Sequence, residues 1–201
     1  MITIINYGLG NIRSFVNLYE RLNIKTKIAN TAKDIESASK IILPGVGAFD
    51  YAMTMLNKSG MKDELENKVL KNKIPVLGIC VGMQILGNGS DEGSMPGLGW
   101  INGYNKKFEV KEKSILPHMG WNNMDYFKKD KIFNNTNKDS RFYFLHSYYF
   151  VPESVENEIA RTNFGINYTS AIKKDNIYGI QFHPEKSHSS GIELLHNFSK
   201  L

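Results

Sequence analysis

The chain has 201 residues, of which 41% are hydrophobic and 22% are charged, a balance typical of one soluble globular domain over residues 1–201. No apolar run approaches the ~20 residues that cross a bilayer, and the first residues lack the pattern of a signal peptide, so we expect a cytoplasmic protein. The net charge of +5 comes from scattered lysines without a nucleic-acid-binding signature, which argues against a nucleic-acid partner.

The first half of the chain alternates short apolar runs with amphipathic patterns. The apolar runs predict strands at residues 1–6, 24–29, 40–43 and 74–79. The amphipathic patterns predict helices at residues 11–22, from residue 31, and at residues 48–56, 61–70 and 80–86. Strands and helices in alternation predict an α/β fold of three layers, in which a mainly parallel sheet carries helices on both faces.

The second half of the chain has a different pattern. From Gly103 onward, aromatic and β-branched residues alternate with polar ones, and Asn122-Asn123, Asn134-Asn135 and residues 173–176 predict turns between strands. We therefore expect antiparallel additions to the sheet, followed by a closing helix at residues 189–199.

Three glycine-containing segments follow predicted strands: YGLGN at 7–11, PGVGAF at 44–49 and GICVGMQ at 78–84. Ligands of open parallel sheets bind beyond the carboxyl ends of the strands, so we expect all three segments at one edge of the sheet. None of them has the spacing of a nucleotide-binding glycine fingerprint, and no cofactor is predicted.

Cys80 is the single cysteine, which excludes an intramolecular disulfide. A lone cysteine is ordinarily a small buried hydrophobe. Cys80, however, lies between a predicted strand and a predicted helix, with Gly78 and Gly82 on either side. A nucleophile in such a sharp turn is exposed at the sheet edge, and the N–H groups of the helix favour its thiolate. Cys80 has no ligand partners at zinc spacing, so no metal site is predicted.

His183 and Glu185 follow the apolar run at residues 177–182. In an extended segment, residues two apart point to the same side, so Glu185 could orient the imidazole of His183. With Cys80 they would form a nucleophile, a base and an orienting acid. Taken alone, such a pair is more often a turn histidine beside a solvated acid.

The segment PGVGAF can present backbone N–H groups at close range, because two glycines flank Val46. An oxyanion that forms when a thiolate attacks an amide needs such donors. Glycines are also common in plain strand-to-helix turns, so this segment is informative only beside Cys80.

Together, GICVGMQ, HPE and PGVGAF resemble the motifs of class I (triad) glutamine amidotransferases, whose fold is flavodoxin-like. Four further segments narrow the resemblance, over essentially the whole chain, to glutaminase subunits of imidazole glycerol phosphate synthases. They are NYGLGNIRS at 6–14, PHMGWN at 117–122, FLHSYY at 144–149 and QFHPEKS at 181–187.

The resemblance implies that Cys80 is the nucleophile, His183 the general base and acid, and Glu185 its orienting residue. It also implies an oxyanion hole formed by the N–H groups of Gly47 and Val81. Four residues would hold the amino-acid end of glutamine: Gln84, His146, Ser147 and Tyr148.

Three other histidines receive no catalytic role. His118 is interpreted as a packing or hydrogen-bonding residue, an alternative that applies to His146 as well. His188 and His196 lie on the last predicted loop and helix.

The resemblance further implies a partner, a (β/α)8-barrel cyclase subunit, which forms a heterodimer with the glutaminase and uses its ammonia to make imidazole glycerol phosphate in histidine biosynthesis. Leu9, Gly10, Asn11 and Lys186 would contact it. We expect the PGVG segment to reorient its amides when the partner is loaded, so that the isolated chain has low glutaminase activity.

Three alternatives remain at this point. The same chemistry could supply ammonia to a sugar-modifying amidotransferase of surface-glycan synthesis, to which the departures at Asn6 and Trp100 could belong. The chain could also be a catalytically silent scaffold that binds a cyclase-like partner. Finally, it could be a stand-alone cysteine hydrolase.

Overall fold

The computed structural model describes residues 1–109 and 116–201. The strands in these ranges are β1 (Ile2–Ile5), β2 (Thr26–Ala29), β3 (Ile41–Gly45), β4 (Val76–Cys80), β5 (Gly89–Ser90), β6 (Gly103–Lys107), β7 (His118–Asn123), β8 (Tyr126–Phe127), β9 (Arg141–His146), β10 (Tyr148–Pro152), β11 (Glu158–Asn163), β12 (Asn167–Lys174) and β13 (Ile177–Ile180). The α-helices are α1 (Ile12–Arg21), α2 (Ala32–Ile35), α3 (Phe49–Lys58), α4 (Lys62–Glu66), α5 (Val81–Gln84) and α6 (His188–Ser199).

The predicted parallel sheet is confirmed. Its strands lie in the order β2-β1-β3-β4-β13, and every neighbouring pair in this group is parallel. Strands β1, β3, β4 and β13 are fully buried, as expected of a sheet covered on both faces, whereas the edge strand β2 is only partly buried. Right-handed crossovers place α1 on one face and α2 on the other, because the chain reverses its direction across the sheet after β2. The contacts agree, since α1 packs on α6 and α2 packs on α4.

The predicted antiparallel additions are also confirmed. Strands β12, β10 and β6 continue the sheet beyond β13 in antiparallel pairs, and β11 joins β12 to the short β8. Strands β7 and β9 form a separate antiparallel pair. This pair reaches the main sheet through a bridge between Tyr143 and His183.

Several boundaries differ from the sequence predictions. Asn122 and Asn123 are the last residues of β7, so the predicted turn falls one step later, at residues 124–125. The predicted helix at 61–70 is α4 followed by a π-helical turn at Asn67–Lys71. Strand β4 extends through Cys80, because Cys80 pairs with Gly45 of β3.

The pairing of β3, β4 and β13 determines where the chemistry-bearing residues meet. Gly45 lies opposite Cys80, and Ile180 lies opposite Ile79. Residues that follow β13 therefore emerge beside the end of β4, although about a hundred residues separate them along the chain. YGLGN reaches the same edge, since the hydroxyl of Tyr7 donates to the carbonyl oxygen of Pro44 at 2.7 Å.

Within residues 1–109 and 116–201, no helix is long and apolar enough to cross a bilayer.

Candidate functional site

The backbone of Cys80 has an unusual conformation. Its φ of 55° and ψ of −114° lie outside the regions that residues other than glycine ordinarily occupy, so the turn between β4 and α5 is strained. Strain of this kind occurs in strand-to-helix turns that present a nucleophile. Cys80 is only 4% exposed, and the exposed part faces a cavity.

Glycines allow this turn to pack closely. A Cβ atom at Gly82 would overlap the carbonyl oxygen of Leu43, and one at Gly78 would overlap the backbone of Gly82. The predicted steric need for small residues at both positions is therefore present in the structure. The helix that follows is shorter than predicted, because α5 ends at Gln84 and not at Leu86. One helical turn has a smaller dipole than the longer helix expected, so it stabilises a thiolate less.

His183 and Glu185 form a buried pair. Nδ1 of His183 lies 2.9 Å from Oε1 of Glu185, and each side chain is 3% exposed. The contact was expected, but the predicted extended conformation was wrong, because Pro184–Lys186 forms a 3-10 turn. The hydroxyl of Ser187 holds this turn by donating to the carbonyl oxygen of His183 at 2.6 Å.

The surroundings of His183 favour its protonated form. Burial by itself lowers the pKa of an imidazole, but the interactions and negative charges of Cys80 and Glu185 outweigh it and raise the pKa of His183 to about 10. His183 is therefore a cation at neutral pH, placed between a sulfur and a carboxylate. An imidazolium in that position can stabilise a thiolate and later donate a proton.

A cavity of about 300 Å³ joins these residues to the others singled out in the sequence. Eight of the nine predicted site residues line it: Gly47, Cys80, Val81, Gln84, His146, Ser147, Tyr148 and His183. Glu185 lies behind His183 instead. The volume is at the lower end of the range of small-ligand pockets, about 300–1,000 Å³. The cavity thus has the size of a small molecule and not that of a macromolecular chain.

Gln181 belongs to the site and was missed by the sequence analysis. It is fully buried, its Nε2 lies 3.9 Å from Sγ of Cys80, and its Oε1 accepts a hydrogen bond from Gln84 Nε2 at 3.1 Å. Gln84 also donates to the carbonyl oxygen of Tyr148 at 3.2 Å. The available signal was Gln181 itself, a polar residue inside the apolar run at 177–182. A polar side chain that is buried there needs a specific hydrogen-bond partner.

Glu92 is a second residue that the sequence analysis missed. Its Oε2 accepts a hydrogen bond at 2.8 Å from the backbone N–H of Phe49, the first residue of α3. Glu92 also lines the cavity, to which it contributes a carboxylate. Burial, then the charges of Glu92 and Asp91, raises the pKa of Tyr148. No local motif marks Glu92, since it reaches the cavity from a loop.

The PGVGAF segment forms one wall of the cavity. Gly47 has a φ of 95°, which favours glycine, and a Cβ atom there would meet nothing within 4 Å. Val46 is 42% exposed. The residues before them are held firmly, because Pro44 and Gly45 belong to β3. Gly47 thus has open space on one side, and it follows a strand that is held in the sheet.

The predicted partner-contact residues lie at this edge of the sheet, with one correction. Asn11 and Lys186 are exposed and Gly10 is half-buried, but Leu9 is 8% exposed and packs in the core. The Leu9 side chain is therefore unsuited to contact a partner. His118 is buried outside the cavity, and His188 stacks on Trp121 with ring centroids 4.9 Å apart.

In the part of the chain that the structure describes, no group of three or more His, Cys, Asp or Glu residues is arranged to hold a metal ion.

Solved structures show which known fold the chain has, and a family model shows its class. The chain matches a structure described as a glutamine amidotransferase with a TM-score of 0.77 and 16% identity, covering 99% of this chain and 97% of the other. It matches the PurLQS structure from Thermotoga maritima with a TM-score of 0.74, 16% identity and the same coverage. The family model for class-I glutamine amidotransferases matches residues 3–200. The chain belongs to the class-I glutamine amidotransferase family.

Sequence relatives narrow the position within that family. The chain is 51% identical to imidazole glycerol phosphate synthase subunit HisH of Bdellovibrio bacteriovorus, with all of both chains covered. It is 48% identical to the HisH subunit of Leptospira interrogans, again over all of both chains. It is also 48% identical to HisH 2 of Methanococcus maripaludis, covering all of this chain and 99% of the other. Within its class, the chain thus groups with the HisH subunits.

Proposed function

We propose that this chain is the glutaminase subunit of an imidazole glycerol phosphate synthase, which hydrolyses glutamine to glutamate and supplies ammonia to its partner subunit for histidine biosynthesis. The observation that carries the proposal is the single cavity in which Cys80, at the end of β4, meets His183, three residues after β13. We also propose that residues 1–201 form one domain and that the protein acts in the cytoplasm.

The chemistry is an acyl transfer from nitrogen to sulfur and then to oxygen. The thiolate of Cys80 attacks the side-chain amide carbon of glutamine, and a carbon–sulfur bond forms. The carbon–nitrogen bond breaks as the His183 imidazolium donates its proton, so the leaving group is ammonia. Neutral His183 then takes a proton from water, whose oxygen displaces the thiolate and releases glutamate. The balance is one glutamine and one water to one glutamate and one ammonia.

Two sets of groups support the transition state and the substrate. Gly47 and Val81 line the cavity together with Cys80, and their N–H groups are assigned to the oxyanion. Gln84, His146, Ser147 and Tyr148 are assigned to the amino-acid end of glutamine. Glu92 adds a carboxylate on that side, which suits the α-ammonium group of the substrate.

The partner is assigned as a (β/α)8-barrel cyclase. Ammonia released into bulk water would be protonated and would lose its nucleophilicity, so the acceptor site has to be sheltered and close. Lys186 is exposed and lines the cavity, and Asn11 is exposed on the YGLGN segment, so we place the docked subunit on this edge of the sheet. The free space around residues 46–47 supports a change of amide direction on docking.

The test compares glutamine hydrolysis by the isolated chain and by the chain with its cyclase partner. We expect a low rate alone, a rate at least tenfold higher in the loaded complex, and none with Cys80→Ala. Full activity without the partner would contradict the partner dependence and favour a stand-alone hydrolase. Absence of hydrolysis in the complex would favour a silent scaffold.

A second experiment separates histidine biosynthesis from surface-glycan synthesis. The gene for this chain, with that of its partner, should restore growth of a histidine auxotroph that lacks the glutaminase subunit. Failure to restore growth, with active glutamine hydrolysis in the same cells, would favour a different ammonia acceptor.

A further inference from the structure

A buried chain of polar groups leads from the surface to the glutamine-binding wall of the cavity. Nδ1 of His146 lies 2.7 Å from the carbonyl oxygen of Tyr148, and Nε2 of the same ring lies 3.2 Å from the hydroxyl of Tyr168. That hydroxyl is 3.1 Å from Nδ1 of His118, whose Nε2 is 3.4 Å from the side-chain nitrogen of Asn122. We call these groups the His118–Tyr168–His146 chain.

The His118–Tyr168–His146 chain has one consistent direction of hydrogen bonding. A carbonyl oxygen only accepts, so Nδ1 of His146 carries the proton and donates to Tyr148. Nε2 of His146 must then accept, and Tyr168 donates its single hydroxyl proton to it. The Tyr168 oxygen in turn accepts from Nδ1 of His118, which leaves Nε2 of His118 to accept from Asn122.

This assignment requires both imidazoles to be neutral, and their surroundings ensure it. His118 lies between the rings of Phe144 and Phe164, at centroid distances of 4.8 and 4.1 Å. Burial lowers the pKa of His118 to about 4 and that of His146 to about 3. Each ring therefore has one donor and one acceptor at neutral pH, and neither is available as a second base.

The His146 end of the His118–Tyr168–His146 chain is joined to the site. The Tyr148 carbonyl oxygen, which accepts from His146, also accepts from Gln84, and Gln84 binds Gln181 beside Cys80. A carbonyl held by two donors cannot rotate without breaking both bonds. The position of the Tyr148 carbonyl, and with it that of the Gln84 amide, thus depends on the orientation of the His146 ring.

We propose that Tyr168 is a positioning residue for glutamine: its hydroxyl fixes the orientation of the His146 ring, which holds the Tyr148 carbonyl and the Gln84 amide in the conformation that binds substrate. The inference rests on the proposed function. Without the Tyr168 hydroxyl, the buried Nε2 of His146 has no donor, and the imidazole keeps only one of the two hydrogen bonds that fix its ring. The ring can then turn away from the Tyr148 carbonyl, and the glutamine-binding wall is released while Cys80 and His183 stay in place.

The test uses Tyr168→Phe, which removes the hydroxyl and keeps the ring. Tyr19→Phe is the matched control, because Tyr19 is also buried and its hydroxyl also donates a hydrogen bond, in this case to the carbonyl oxygen of Leu195. Each full-length variant, with its partner subunit, is alkylated with a chloroketone analogue of glutamine and, separately, with iodoacetamide. The first reagent reports binding of the amino-acid end and the second reports only the reactivity of the thiol.

We expect Tyr168→Phe to raise the half-saturating concentration of the glutamine analogue about tenfold. The maximal alkylation rate and the iodoacetamide rate should stay within about twofold of the unsubstituted protein, and Tyr19→Phe should change none of these values. His118→Phe should raise the half-saturating concentration less, about threefold, because Tyr168 can still donate to His146.

An unchanged half-saturating concentration in a folded Tyr168→Phe protein would overturn the proposal. So would a parallel loss of reactivity toward both reagents, which would indicate general loosening of the site. If Tyr168→Phe does not fold, His118→Phe decides the question by the same criterion. Failure of the analogue to label Cys80 in the unsubstituted protein would instead contradict the proposed function.

Discussion

Glu185 illustrates how much of this site depends on single atoms. Its Oε1 binds His183, whereas its Oε2 is buried without a hydrogen-bond partner among the described residues. A buried carboxylate with so few partners is stable only beside a positive charge. Its negative charge is also one of the reasons that the pKa of His183 is raised. The carboxylate thus favours the protonated form of His183, and the imidazolium offsets the cost of burying the carboxylate.

Replacing Glu185 by glutamine should therefore slow catalysis and shift its pH dependence. We expect Glu185→Gln to lower kcat roughly a hundredfold or more, because the imidazole loses both its orientation and its stabilising charge. The pKa of His183, raised to about 10 with the carboxylate present, should fall, so the alkaline limb of the pH profile should move to lower pH. Glutamine hydrolysis in the complex across pH is the measurement.

The control for this substitution is Glu156→Gln, which neutralises an exposed carboxylate in the turn at Val155–Asn157. It should leave the pH profile unchanged. A Glu185→Gln enzyme that kept its alkaline limb would show that the carboxylate does not act on His183.

At the scale of elements, the region after α5 shows why the local sequence pattern predicted too long a helix. The carbonyl oxygens of Ile85, Leu86 and Gly87 accept hydrogen bonds from the backbone N–H groups of Leu98, Ile101 and Gly99. The helix ends early because a loop more than ten residues away supplies those donors. The apolar pattern that predicted helix up to Leu86 reports burial, which is correct, and not the path of the backbone.

The same turn gives a stability prediction that contrasts two glycines. Gly82→Ala should reduce the free energy of unfolding by about 3 kcal/mol or more, because its Cβ overlaps the backbone of β3, which cannot move away cheaply. Gly47→Ala should cost about 1 kcal/mol, because the space is open and only the positive φ is unfavourable. Urea unfolding of both variants measures the difference, and equal losses would contradict the packing argument.

At the scale of the whole molecule, buried histidines set the dependence of stability on pH. His118 and His146 have pKa values lowered by burial to about 4 and about 3, against 6.5 for a free imidazole. The unfolded chain binds protons at these positions below pH 6.5 while the folded chain does not, so stability is lost as pH falls. His183 has the opposite sign, because its pKa is raised to about 10. Its contribution is complete below pH 6.5 and is lost as pH rises toward 10.

We therefore expect stability to decrease on both sides of neutrality, and His118→Phe should alter the acid side alone. Between pH 6.5 and about 4, unfolding of the variant should take up one proton fewer than unfolding of the original chain. Urea unfolding at several pH values in this range gives the slope. An unchanged slope would mean that His118 is already protonated in the folded protein.

Local sequence determined the fold class and the composition of the turn around Cys80. Apolar runs and helical periodicity are encoded over ten or fifteen neighbouring residues, and the glycines at 78 and 82 reflect steric limits that act within one turn. The contact between His183 and Glu185 was also predictable from the sequence, whereas the 3-10 turn that joins them was not.

The tertiary structure alone decided how the cavity is completed. Gln181 reaches Cys80 because β13 pairs with β4. Tyr168 reaches His146 because β12 pairs with β10, which begins two residues after His146. Glu92 enters from a loop, and Leu9 turns into the core. None of these placements has a local signature, because strand pairing joins residues that are far apart along the chain and a buried polar side chain is recognisable only by the partners that fold around it.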